Sequence, residues 1–192
     1  MVDGELIDGE LTRREQLVRA AFTVVAEVGL EGLRLRRVAA DVGIDQSTVH
    51  YHVATKAELV EAVAEHASGL LSTTAPPTDR EPRAALAAHL DALARLVTTC
   101  PELFTVTAEL DLRGRRDPAV RAVVERGEAG WRAVLVRLFA AIESDASPEE
   151  RAELVIAAVK GVRLAPDLAP IVLAQLGATP ASPPTSPPAS RP

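Results

Sequence analysis

Apolar residues recur at a period close to 3.6 along almost the whole chain, and that regularity confines the fold to packed helices. No run of alternating β-branched residues bounded by hairpin turns competes with it. Local stop and start signals divide the pattern. Thr12 and Glu15 make a capping box, after which Val18, Phe22 and Val25 line one face until Gly29 offers a C-terminal stop. A second, short helix fits Leu35 to Val42, with Leu35, Val38, Ala39 and Val42 inward and Gly43 able to take the left-handed turn. Asp45 caps a third helix from about Gln46 to Val53. Thr55 and Glu58 form another capping box, opening a long helix on which Leu59, Val63, Ala67 and Leu70 follow one stripe toward Ser72.

Beyond a connecting loop at Ala75 to Asp79, Leu86, Leu90, Leu93 and Val97 describe a further helix limited by Pro101. A short helix follows over Glu102 to Leu112. Asp117-Pro118 begins a longer one to about Ile142, with Val120, Val124, Trp131, Leu135, Leu138 and Ile142 on one side. Ser147-Pro148-Glu149-Glu150 starts another that reaches about Val162. The expected fold is therefore all-α, with a disordered arm over 1–11, a helix-turn-helix unit over 12–56 and a larger helical domain over 57–176. From Gly177 the chain turns to Pro, Ser, Ala and Thr, a mixture too poor in apolar area to offset its ordering entropy, so 177–192 is expected as a disordered tail.

Charge and cysteine usage narrow the function classes. The net charge of −6 resolves into −4 over 1–11, +2 over 12–56 and −4 beyond, so the one basic region coincides with the helix-turn-helix unit. Met1 to Glu10 carries four acidic residues and no Lys or Arg, unlike a signal peptide, and no apolar segment is long enough to span a membrane. The single Cys100 excludes an intramolecular disulfide and points to a reducing compartment, so a cytoplasmic location is expected. No Ser/His/Asp constellation, glycine-rich phosphate loop or paired-carboxylate motif suggests an enzyme, and no cofactor is implied. His50 and His52 lie two apart on a helix, about 200° around it, and cannot chelate one metal ion.

With Val49 and Val53 inward, the third helix presents Gln46, Ser47, Thr48, His50, Tyr51 and His52 outward. These hydrogen-bonding side chains suit a DNA groove and its phosphate edges. A helical hairpin of this length also serves in many small domains for packing alone. The stretch AAFTVVAEVGLEGLRLRRVAADVGIDQSTVHYHVATKAELVEAV, Ala20 to Val63, resembles the N-terminal signature of the tetracycline-repressor (TetR) family, most specifically from Gly43 to Leu59. The resemblance implies that Arg36 and Gln46 read bases, and that Thr48, Tyr51, His52 and Lys56 hold phosphates of an inverted-repeat operator in double-stranded DNA. His50 stands where tyrosine is commoner, Val53 where phenylalanine is commoner, and Arg34 where Ser or Thr often caps helix two.

About 120 residues remain, far more than a DNA-binding module needs. In a TetR-like protein they would dimerise and bind an effector, and Pro101 to Val120 resembles a segment frequent in the family's C-terminal domains. A homodimer is expected through the last two long helices, with Val134, Leu138, Leu154, Val155, Ala158 and Val162 as interface candidates and Ala157 and Gly161 allowing close approach. Pocket candidates for a small-molecule effector are His66, His89, Cys100, Phe104, Thr107 and Trp131, which interrupt an Ala/Leu/Val interior; each also reads as an ordinary core or surface residue. The leading expectation is a repressor released by a small molecule. Alternatives are a TetR-fold architectural or cell-division protein governed by a protein partner, and a helical enzyme or carrier with a vestigial helix-turn-helix.

Overall fold

The computed structural model describes residues 11–142 and 144–177, so the expected N-terminal arm and C-terminal tail lie almost wholly outside the described residues. Those residues form helices only: α1 (Arg13–Gly32), α2 (Leu35–Val42), α3 (Gln46–His52), α4 (Lys56–Ser72), α5 (Pro82–Thr99), α6 (Pro101–Gly114), α7 (Pro118–Ala140), α8 (Pro148–Val162) and α9 (Ala169–Gly177), the last preceded by a 3-10 turn at Pro166–Leu168. The caps are made as their sequence patterns require. Glu15 N–H donates to Thr12 Oγ1 at 3.2 Å while Thr12 N–H donates to Glu15 Oε2 at 2.8 Å. Glu58 N–H donates to Thr55 Oγ1 at 3.1 Å, and Ala54 N–H to Glu58 Oε2 at 2.9 Å. Helices α5 to α8 each begin with proline, whose missing N–H costs nothing there.

Gly29, with φ of +70°, interrupts the helical geometry of α1 as its position suggested, although a final turn continues to Gly32. A side chain there would be strained, and its Cβ would lie 3.1 Å from the Glu109 carboxylate on α6. Between α2 and α3, Gly43 takes the left-handed conformation: Gly43 N–H donates to Ala40 O at 3.1 Å and Ile44 N–H to Ala39 O at 3.0 Å, the two bonds of a Schellman turn. The two helices thereby share Leu33, Val38, Val49 and Val53, all fully buried.

Helix α4 crosses from this unit into the rest of the molecule, packing on α1, α6 and α7. The core is continuous, and α9 seals it by lying along α5 with Ala169 and Leu173 fully buried. That helix was not anticipated from the sequence. Two interface expectations also need correction. Val155 and Val162 point into the protomer's own core, at 1% and 4% exposure, and so cannot face a partner. Instead Leu154, Ala157 and Gly161, at the helical spacing of three or four, form the outward stripe of α8, which Leu164 continues in the turn just past its end.

Candidate functional site

The outward face of the helix-turn-helix unit separates its polar side chains into two groups. Arg36, Gln46 and Tyr51 are exposed and make no hydrogen bond or ion pair among the described residues. Tyr51 touches only the His52 ring, edge to face at 5.1 Å. Ser47, Thr48, His50 and Lys56 are already engaged. Asp45 accepts the Thr48 N–H at 3.0 Å and the hydroxyls of Thr48 and Ser47, so both hydroxyl protons are spent on the helix cap. These bonds, Ser47's first, hold the Asp45 carboxyl pKa down to about 2. His50 Nδ1 lies 3.2 Å from the Ala54 carbonyl, beyond the last turn of α3.

Lys56 is exposed overall, but its ammonium donates to the Leu30 carbonyl at 2.9 Å, closing off the last turn of α1. Burial and then the neighbouring Arg34 charge lower its pKa. Arg34, which leaves the α2 N-cap without a side-chain acceptor, turns its guanidinium back to the carbonyls of Glu31 and Leu33. The same turn of α1 is gripped from the other side by α6. Leu30 N–H donates to Glu109 Oε2 at 3.2 Å, and Arg113 pairs with Glu31 at 3.5 Å. This grip was not legible in the sequence, since its partners lie some eighty positions apart.

Helices α4 to α8 and the loop after α4 line a partly open cavity of about 420 Å³, mostly apolar in lining. Of the six pocket candidates, His89, Thr107 and Trp131 lie in its wall, whereas His66, Cys100 and Phe104 do not. His66 packs edge to face on Phe22 at 5.4 Å, Phe104 is core, and Cys100 sits between α5 and α6. Trp131 Nε1–H donates to His89 Nε2 at 2.8 Å. An indole nitrogen can only donate, so the proton of a neutral His89 belongs on Nδ1, which faces the Thr74 carbonyl. Burial lowers the His89 pKa, opposed in part by that Thr74 bond. The ring is a neutral brace between the loop and α7.

Charged wall residues, absent from the pocket candidates, close the opposite end. Arg163 on α8 pairs with Asp111 on α6, and Lys160 with Glu128 on α7, which also takes Arg132 at 2.8 Å. Burial works to raise the Glu128 pKa, but the bonds from Lys160 and Arg132 outweigh it and leave the group below its ordinary value. In the sequence Glu128 falls on the charged side of its helix with Arg121, Glu125 and Arg132, so nothing local marked it as cavity wall.

Residues 17–63 match the family model described as bacterial regulatory proteins, tetR family, and residues 80–166 match the model for the tetracyclin repressor-like C-terminal domain. The chain belongs to the TetR family. The tetracycline repressor of class C from Escherichia coli is 34% identical over 67 residues, 35% of this chain and 31% of that protein. The match to that curated relative thus spans about a third of its length. The TetR fold extends over nearly the whole chain: a transcriptional regulator from Rhodococcus sp. Rha1 superposes with a TM-score of 0.78 at 25% identity, covering 86% of this chain and 94% of the other. The multidrug binding protein EbrR, solved with proflavin, gives 0.60 at 25% identity, covering 86% and 99%. Among the described residues no helix is long and apolar enough to cross a membrane, and no group of three His, Cys, Asp or Glu could hold a metal ion.

Proposed function

We propose that this TetR-family protein is a homodimeric, sequence-specific DNA-binding regulator, a repressor released from its operator when a small molecule enters the C-terminal cavity. The single observation that carries the reading is the helix-turn-helix face, where Arg36, Gln46 and Tyr51 are exposed with no hydrogen bond or ion pair among the described residues, while Ser47 and Thr48 serve the α3 cap. A guanidinium suits guanine and a carboxamide suits adenine, so these two are assigned base reading. Tyr51, His52 and Lys56 are assigned to phosphates, with Ser47, Thr48 and His50 beside them on the same face. The outward stripe of α8 is assigned to the two-fold contact. Release by a small molecule is favoured over control by a protein partner because a cavity opens between the C-terminal helices. EbrR, a relative with a bound small molecule, supports that choice.

Fluorescence anisotropy with inverted repeats, including one from the region upstream of the protein's own gene, tests the reading. Salt-dependent binding is expected, strongest when the half-sites lie about 34–36 Å apart centre to centre. Absence of any salt-dependent binding would sink it.

A further inference from the structure

The proposed effector role leaves the chemistry of the molecule open, and the cavity wall narrows it. At the Trp131 end the indole N–H is committed to His89, and the hydroxyls of Thr107 and Thr74 to the carbonyls of Phe104 and Leu71, at 3.1 and 2.8 Å, which leaves the Ser68 hydroxyl on α4 beside Gly127. An entering molecule finds mostly apolar surface there. At the α6–α8 end the balance is different. Asp111 takes Arg163 Nη1, but Arg163 Nε is buried with no partner among the described residues, and the side chain is only 10% exposed. The wall carries three cations, Arg126, Lys160 and Arg163, against two carboxylates, Asp111 and Glu128. One positive charge is left over, and Arg126 makes no ion pair among the described residues.

Resting on the effector reading above, we propose that the molecule is a monocarboxylate with a plain apolar body, its carboxylate on Arg163 and its hydrocarbon toward Trp131. An unpaired buried donor needs an acceptor, a guanidinium grips a planar carboxylate on two nitrogens, and a single negative charge neutralises the wall. The volume holds on the order of fourteen non-hydrogen atoms at the density of liquid water, the size of a medium-chain acid. A cationic ligand would add charge to a wall already positive.

Trp131 is the sole tryptophan, so its fluorescence reports occupancy without DNA. Decanoate, decanamide, decylamine and proflavin would be titrated against the full-length protein, with melting temperature as a second readout. Decanoate is expected to bind roughly tenfold or more tighter than the other three, the value of one charge-assisted contact. In an Asp111→Asn, Arg163→Gln double variant, which removes the pair without changing net charge, the advantage of decanoate over decanamide should fall several-fold, leaving only the attraction of the remaining wall charge. Tighter binding of decylamine or proflavin, equal binding of acid and amide to the native protein, or no response to any of the four overturns the proposal. The native panel decides even where the variant does not fold. If decanoate saturates the Trp131 signal while DNA affinity by anisotropy stays constant, the ligand class stands and the effector reading fails.

Discussion

Arg36 and Gln46 have no competing partner among the described residues, so on the proposed reading replacing either with alanine should remove contact with DNA and nothing from the fold. Each substitution is expected to cost roughly 1–3 kcal/mol on the operator and to relax preference at one base position per half-site, measured by anisotropy on single-base variants. Lys56 holds the Leu30 carbonyl and is assigned to a phosphate, so Lys56→Ala should weaken all sequences alike while lowering the slope of log affinity against log salt by about one. It should also destabilise the fold by about 0.5 kcal/mol, the low end for a hydrogen bond because water screens an exposed ammonium. If Lys56→Ala alters base preference and Gln46→Ala does not, the assignment of roles is wrong. Asp45 supplies a pH signature. Its folded-state pKa is depressed to about 2, so its contribution is fully present above the ordinary carboxylate value near 3.8 and is lost as pH falls toward 2. Asp45→Asn, which still caps α3, should flatten that acid limb in melting curves taken from pH 5 to pH 2, and an unchanged limb would contradict the cap.

Helix starts were legible because a cap is a local arrangement. Thr12, Thr55, Asp117 and Ser147 each find their acceptor or donor within three residues, and the prolines mark the first turn. Which face of α8 turns inward was not local information. Val155, Val159 and Val162 on one side and Leu154, Ala157 and Leu164 on the other are both apolar, and only packing on α7 chooses between them. Helix α9 was missed for the opposite reason. It is almost wholly apolar, so it has no polar face to create a period, and Pro166 and Pro170 resemble loop punctuation. The outward stripe of α8 leads to an element-level expectation. Leu154→Asp with Leu164→Asp, at positions 61% and 88% exposed, should yield a monomer by light scattering at micromolar concentration with its helical circular dichroism intact. Val155→Asp should instead destabilise the protomer itself by roughly 3 kcal/mol or more, through a carboxylate placed in the core. A double variant that stays dimeric would move the interface elsewhere.

At the scale of the molecule, α6 faces two places at once. One side of that helix gives Thr107, Leu110 and Asp111 to the cavity, and the other sends Glu109 and Arg113 to the last turn of α1, where Lys56 also holds the Leu30 carbonyl. An occupant that displaces α6 therefore alters the support of the turn immediately before α2, and with it the placement of Arg36 and Gln46. Coupling of this kind is a free energy shared between two sites, read as the ratio of DNA affinities with and without occupant. Glu109→Leu keeps an apolar stem against Gly29 but removes the acceptor of the Leu30 N–H. It is expected to reduce that ratio several-fold, within the typical 5–150-fold range of such couplings, while ligand affinity read from Trp131 changes much less. A ratio equal to that of the native protein would show that α6 does not carry the signal through Glu109, and would shift attention to α4, the other helix that lines the cavity and begins beside the same turn.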